Sequence, residues 1–202
     1  MTALKKSRSR RKHEIDPFNA LIAAFYFEEA AKHLLLKEDA NVGLPYFVLS
    51  AFSIEVYLKC LLAIEGREIY DTHDLHELFQ ELGKENKRAI QKTWAEWQNH
   101  LKNGLKIMEA RKEDPVRLAM FRKQMMGSLP KLLKEGAKTF VTYRYFYEKN
   151  PRHGYGLQML PPMLKARILE VKPEWGERAN SVVKSGIPPT PPHAPTMSVS
   201  PT

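Results

Sequence analysis

The 202-residue chain contains one cysteine, Cys60. A single thiol excludes an intramolecular disulfide and a cysteine-built metal cluster, and it points to a reducing compartment. The 10 glycines are scattered, and none forms the glycine-rich turn that cradles a phosphate between strand and helix. No stretch alternates apolar and polar residues with the period of a half-buried strand, and no segment repeats another. Positive charge opens the chain, but no apolar run of signal-peptide type follows it. No stretch reads as a membrane span, so a cytoplasmic protein is expected. No residue pattern implies a cofactor.

What is present is helical. Of the residues 43% are hydrophobic, enough for one globular unit with a core. The stretch PYFVLSAFSIEVYLKCLLAIEG, 45–66, is apolar in nearly every direction around a helix and has no internal glycine or proline. Such a helix belongs inside a bundle. Its two central charges, Glu55 and Lys59, stand i and i+4 in the favourable acid-before-base order.

The other elements fall around it. Asp16-Pro17 opens a first helix that runs to about Lys37. Gly66 marks the C-cap of the central helix. Thr72 is the expected N-cap of a short helix through Leu75, Leu78, Phe79 and Leu82, with Asp74 in its first turn. Ile90, Trp94, Trp97, Leu101, Leu105 and Met108 form one stripe from Lys84 to Ala110, with both tryptophans as core anchors. Asp114-Pro115 starts another helix that stops at Gly127. From Ser128 to Asn150 a long helix is expected, weakened but not ended by Gly136. Shorter helices follow Pro161-Pro162 and Pro173.

The expected fold is therefore all-α: an up-and-down-type bundle of about five to six helices, with short C-terminal helices added. Residues 1–15 form a basic disordered arm, 16–150 the bundle, 151–184 a helical extension and 185–202 a proline-rich disordered tail. The net charge is +9, of which Lys5, Lys6, Arg8, Arg10, Arg11 and Lys12 supply +6 with no acid among them. Such an arm can contact nucleic-acid phosphates without reading sequence.

Arg144 is the oddest residue of the late helix. At 100° per residue it lies about 40° from Phe140 and about 60° from Tyr147, within the apolar stripe. A guanidinium aimed at a core requires a partner, and Glu55 is the acid of the central helix, so a pair across the bundle is expected. Tyr143, Tyr145, Phe146 and Tyr147 surround it. They suit burial against a second subunit or the C-terminal segment, or stacking on an unpaired base. The cluster His73, Asp74, His76, Glu77 reads as a surface-facing or capping helix start, because it lacks a zinc-protease spacing and a third ligand.

IEVYLKCLLAIEG, THDLHELFQEL and FVTYRYFYE, in that order and spacing, resemble the HEPN superfamily of small helical bundles, over roughly 19–148. The resemblance implies a homodimer. It also implies either a non-catalytic module that binds RNA or a partner protein such as a nucleotidyltransferase, or a metal-independent endoribonuclease of toxin–antitoxin, phage-defence or RNA-processing systems. Catalytic members carry an Arg, four to six residues and then a His on a late helix. There the pair activates a ribose 2′-OH and stabilises the phosphorane-like charge. Arg144 matches that arginine, but the first histidine after it is His153, eight residues on and beyond Asn150-Pro151. Formal matches from Arg67 to His73 and from Arg8 to His13 fall outside the family's position. The non-catalytic module is the expectation. The alternative is a ribonuclease using Arg144 with Glu55, Tyr147 or His153.

Overall fold

The computed structural model describes residues 12–36, 43–112, 114–116, 118–119, 122, 127–137 and 156–185. Among these, seven helices surround one core: α1 Pro17–Leu35, α2 Gly43–Ile64, α3 Leu75–Glu81, α4 Lys84–Ala110, α5 Leu129–Glu135, α6 Leu160–Val171 and α7 Trp175–Ser185. The all-α expectation holds. The one exception is a two-residue antiparallel ladder, in which β1 Lys12–His13 pairs with β2 Ile69–Tyr70. The end of the basic arm is thus fastened to the body of the fold.

Local chemistry sets the ends of these helices. The Asp16 carboxylate accepts the Asn19 N–H at 2.7 Å, with Pro17 at the first helical position. Helix α2 begins at Gly43, so Pro45 sits in its first turn, where a missing N–H costs nothing. At the other end, Arg67 N–H donates to Leu62 O and Gly66 N–H to Ala63 O, each at 3.0 Å. That is a Schellman cap, and Gly66 adopts the left-handed φ of 65° it requires.

Two expectations about boundaries need correction. The N-cap of α3 is Asp74, whose carboxylate accepts Glu77 N–H at 3.0 Å, whereas Thr72 Oγ1 accepts Asp74 N–H at 3.2 Å. Thr72 therefore braces the cap from outside the helix. Gly136 ends α5. The chain turns there because Ala137 O is drawn away to accept Leu75 N–H at 3.2 Å, a tertiary bond that continuing the helix would have consumed. The described part of the expected 151–184 extension packs into the core. Leu157, Leu160, Leu164 and Ile168 are each at most 1% exposed and belong to the same core cluster as α1 and α2.

Helices α1 and α2 pack antiparallel, as the pairs Pro17–Cys60, Phe27–Phe52 and Glu28–Tyr57 require. Helix α6 lies against α2 and α4, α5 against α3, and α7 against α1. The α7 contact is aromatic: Trp175 meets Phe18 edge-on at 5.5 Å, and the Arg178 guanidinium stands 4.0 Å above that ring. On α4 the expected stripe is present, with Ile90, Trp94 and Leu105 buried and Trp97, Leu101 and Met108 half-buried. Trp94 Nε1 and Gln98 Nε2 both donate to Gly127 O, at 3.2 and 2.6 Å.

Residues Pro45–Ile64 are long and apolar enough to cross a membrane, with a mean hydropathy of 1.9, contrary to the expectation that no stretch qualifies. Here they form the core helix, with Ile54, Tyr57, Leu58, Cys60 and Leu61 fully buried.

Two outcomes follow. Leu164→Ala in α6 should cost as much as Leu61→Ala in α2, about 2–5 kcal/mol by urea denaturation. A cost well under 1 kcal/mol would mark 151–184 as a separable extension. The second concerns Cys60, whose thiol donates to Pro17 O. Burial, aided by the Asp16 carboxylate, pushes it from 9.0 up to about 12. The unfolded chain then loses its thiol proton first, so the stabilisation is whole below pH 9.0 and is lost as pH rises towards 12. Buried Tyr57 shifts upward too and adds to the same alkaline loss. Native Cys60 should resist a disulfide-exchange reagent at pH 8 and react fully in urea. Urea midpoints should fall above pH 9.0, less steeply in Cys60→Ala.

Candidate functional site

The ionisable groups near the core of the described residues gather in three clusters, each built around a carboxylate. The central one contains Glu55. Helix α2 carries Glu55 and Lys59 one turn apart, and the turn between β2 and α3 brings in His73. Glu55 Oε1 accepts from Lys59 Nζ at 2.7 Å. His73 Nδ1 lies 3.1 Å from Oε1 and 3.0 Å from Oε2. The carboxylate is 2% exposed, Lys59 15% and the imidazole 45%, so the cluster runs from core to surface.

The neighbours of His73 hold it in place. Thr72 Oγ1 donates to Glu77 Oε2 at 3.1 Å while accepting Asp74 N–H, and Asp74 caps α3. Those bonds fix the backbone on both sides of the histidine. With Nδ1–H given to Glu55, a neutral ring carries its lone pair on Nε2. A carboxylate that fixes tautomer and ring orientation is the arrangement found behind general bases and metal-bound imidazoles. The arrangement therefore has chemical potential, although no group of three metal-binding side chains occurs among the described residues.

The second cluster holds Glu28, 3% exposed on α1. Tyr57 Oη donates to its Oε2 at 2.6 Å, and Lys165 Nζ of α6 lies 3.5 Å from the same oxygen. Lys32 Nζ stands 2.8 Å from Oε1. That contact is made by charge and lacks hydrogen-bond alignment. Its two glutamate neighbours raise the Lys32 pKa against the opposing effect of burial. Lys165 also covers the Phe25 ring at 4.4 Å.

The third cluster closes the start of α4. Glu65 accepts Gly83 N–H at 2.7 Å and Asn86 Nδ2 at 2.6 Å, and Arg67 Nε lies 2.8 Å from its Oε2. A Cβ on Gly83 would stand 2.7 Å from Glu65 Oε1, so a side chain there would push the Glu65 carboxylate from its present position. Arg167 of α6 completes the network through Asn86 Oδ1 at 2.6 Å, and Glu85 and Glu170 at 2.9 Å each.

Of the residues singled out by sequence, Glu55 is central, as expected, and Lys59 is its partner. Arg144, Tyr147 and His153, and Lys5, Lys6, Arg8, Arg10 and Arg11 of the arm, lie outside the described residues, as does the expected Arg144–Glu55 pair. Lys12 is placed by its backbone in β1, opposite Tyr70. That roots the arm three residues before His73, within about 10 Å of chain. The expected surface-facing, capping helix start is present, since Asp74 caps α3 and the His73 ring is 45% exposed, but His73 also lies against Glu55, a contact the sequence does not announce. A buried carboxylate needs partners, and that need was the available signal. It was assigned to Arg144 because the β2–α3 turn carries no periodicity that would aim His73 inward.

The chain matches no protein-family model, no curated protein and no solved structure.

Removing the carboxylate should be the costly change at this site. Glu55→Ala leaves Lys59 unpaired and mostly buried, a loss of about 3 kcal/mol in urea denaturation. The double change Glu55→Leu with Lys59→Met should recover most of it. His73→Ala should cost under about 1 kcal/mol, since the ring is half exposed. A His73→Ala loss equal to that of Glu55→Ala would mean the imidazole, and not Lys59, is the principal counter-group.

Proposed function

We propose that the chain is a HEPN-like helical interaction module that acts as a homodimer, is non-catalytic and binds RNA or a partner protein. One observation carries this reading: Glu55, the acid at the centre of the expected site, is already committed to Lys59 and His73 of its own chain. A carboxylate held at 2% exposure between the Lys59 ammonium and the His73 ring is a structural clamp before it is a base. Glu28 and Glu65 are committed in the same way. RNA is favoured over protein by the charge, since six bases without an acid precede residue 13 and the arm that carries them is rooted at β2.

A second reading, a metal-independent endoribonuclease, is favoured by the Glu55-held imidazole of His73. General acid–base cleavage needs an oriented imidazole near phosphate-binding cations. In this reading His73 takes the role that His153 cannot fill from its place in the sequence, with Arg144 stabilising charge.

Light scattering on the purified chain should give about twice its mass of 23.3 kDa. Total RNA incubated with it in chelator should be bound and left intact. Cleavage in chelator that disappears in both His73→Ala and Arg144→Met would replace the module by the nuclease.

A further inference from the structure

Where the buried acids are all committed, one surface is not. A cavity of about 510 Å³ opens along the C-terminal half of α4, floored by buried Leu105. Asn99, Lys102, Asn103 and Lys106 line it, together with Arg122 from the following segment. The four α4 residues are spaced by three, one and three, so they share one helix face over about 10 Å. The volume falls in the range of small-ligand pockets, about 300–1,000 Å³.

The lining is polar and carries net positive charge. Arg122 is partly neutralised by an ion pair with Glu109 at the rim. Among the described residues, Lys102 and Lys106 have no ion-pair partner, and Asn99 and Asn103 have no side-chain hydrogen bond. Elsewhere on α4, Lys92 faces Glu96, Lys87 reaches Gln80 O and Gln98 is held by Gly127 O, while Lys84 and Arg88 also have no ion-pair partner among the described residues.

The sequence adds an independent argument. Between positions 102 and 123 there are seven bases and three acids. Outside the arm, the remaining chain holds 26 bases against 23 acids. The net charge of +4 in this one segment thus exceeds the +3 of the whole chain beyond the arm. Of the bases in this segment, Lys102, Lys106 and Arg122 line the cavity, against one acid, Glu109.

We propose that this groove is a binding site for the phosphodiester backbone of single-stranded RNA, one or two nucleotides long. Lys102, Lys106 and Arg122 take the phosphates, and the Asn99 and Asn103 amides take the ribose hydroxyls or a base edge. Amides supply both donors and acceptors, which a 2′-OH needs and a phosphate does not. The inference rests on the RNA-binding reading above and gives it a location distinct from both the arm and the Glu55 cluster.

The test uses the full chain and a fluorescent, unstructured 20-nucleotide RNA, with anisotropy read across a salt series. Lys102 and Lys106 are exposed, so Lys102→Gln with Lys106→Gln should melt like the wild type by circular dichroism. It should bind at least tenfold more weakly at about 0.1 M salt, with a salt slope smaller by about 1.4, two contacts at about 0.7 each. The same loss should appear when the six arm bases are also changed to Gln, which separates the groove from the arm. Wild-type binding with no change in the double variant would overturn the groove and leave the functional reading standing. A wild type that binds no RNA would overturn both.

Discussion

Helix α2 has no side that water can solvate, and the surrounding chain is arranged to supply what water cannot. Its apolar residues point in every direction, so covering them takes elements from distant parts of the sequence: α1 before it, α3 after it, and α6 from near residue 165. This explains why α6 is a core helix. Its Leu160, Leu164 and Ile168 are as buried as any residue of α2. A helix apolar on one stripe could have been satisfied by α1 alone.

Placing carboxylates next to such a helix creates a second demand. A buried charge costs several kcal/mol unless it is paired and hydrogen-bonded. Each of the three acids meets this with one partner close in sequence and at least one far away. Glu28 has Lys32 nearby and Tyr57 and Lys165 at a distance. Glu55 has Lys59 and His73, and Glu65 has Arg67 and the Gly83–Asn86 start of α4. The local partners neutralise charge. The distant ones tie α6, the β2–α3 turn and α4 to fixed positions along α1 and α2. Such pairs add little net stability over apolar residues of similar size, so their contribution here is to geometry.

Much of this was legible in the sequence, and the reasons for what was not are physical. Asp16-Pro17, Gly66 and the Trp94 stripe act through local rules of capping and period, and each stands where those rules put it. The effect of Gly136 is not readable locally, because it depends on Leu75, some 60 residues away, competing for the Ala137 carbonyl. The cap of α3 is Asp74 and not Thr72, and two capping residues only two positions apart leave propensity without a preference. Glu55 was found because a lone acid in an apolar helix is conspicuous. His73 was not, because a turn residue has no period and its partner was chosen by a fold that returns β2 to the side of α2.

The Glu55 cluster also constrains any chemistry near it. A carboxylate shared between Lys59 and His73 holds the ring in one orientation, which a base requires. The same lysine competes for the carboxylate and weakens its pull on the imidazole, which a base does not need. The cluster holds the β2–α3 turn against α2. That turn follows β2, and β2 carries the root of the basic arm through Lys12. A clamp at Glu55 therefore fixes where the arm leaves the fold, and the α4 groove supplies a second electropositive surface on another helix. In the proposed module, the arm rooted at β2 and the α4 groove together bind one strand more tightly than either alone, provided the strand can span them. Affinity gained that way needs geometry held constant, which is what three committed carboxylates around α2 provide.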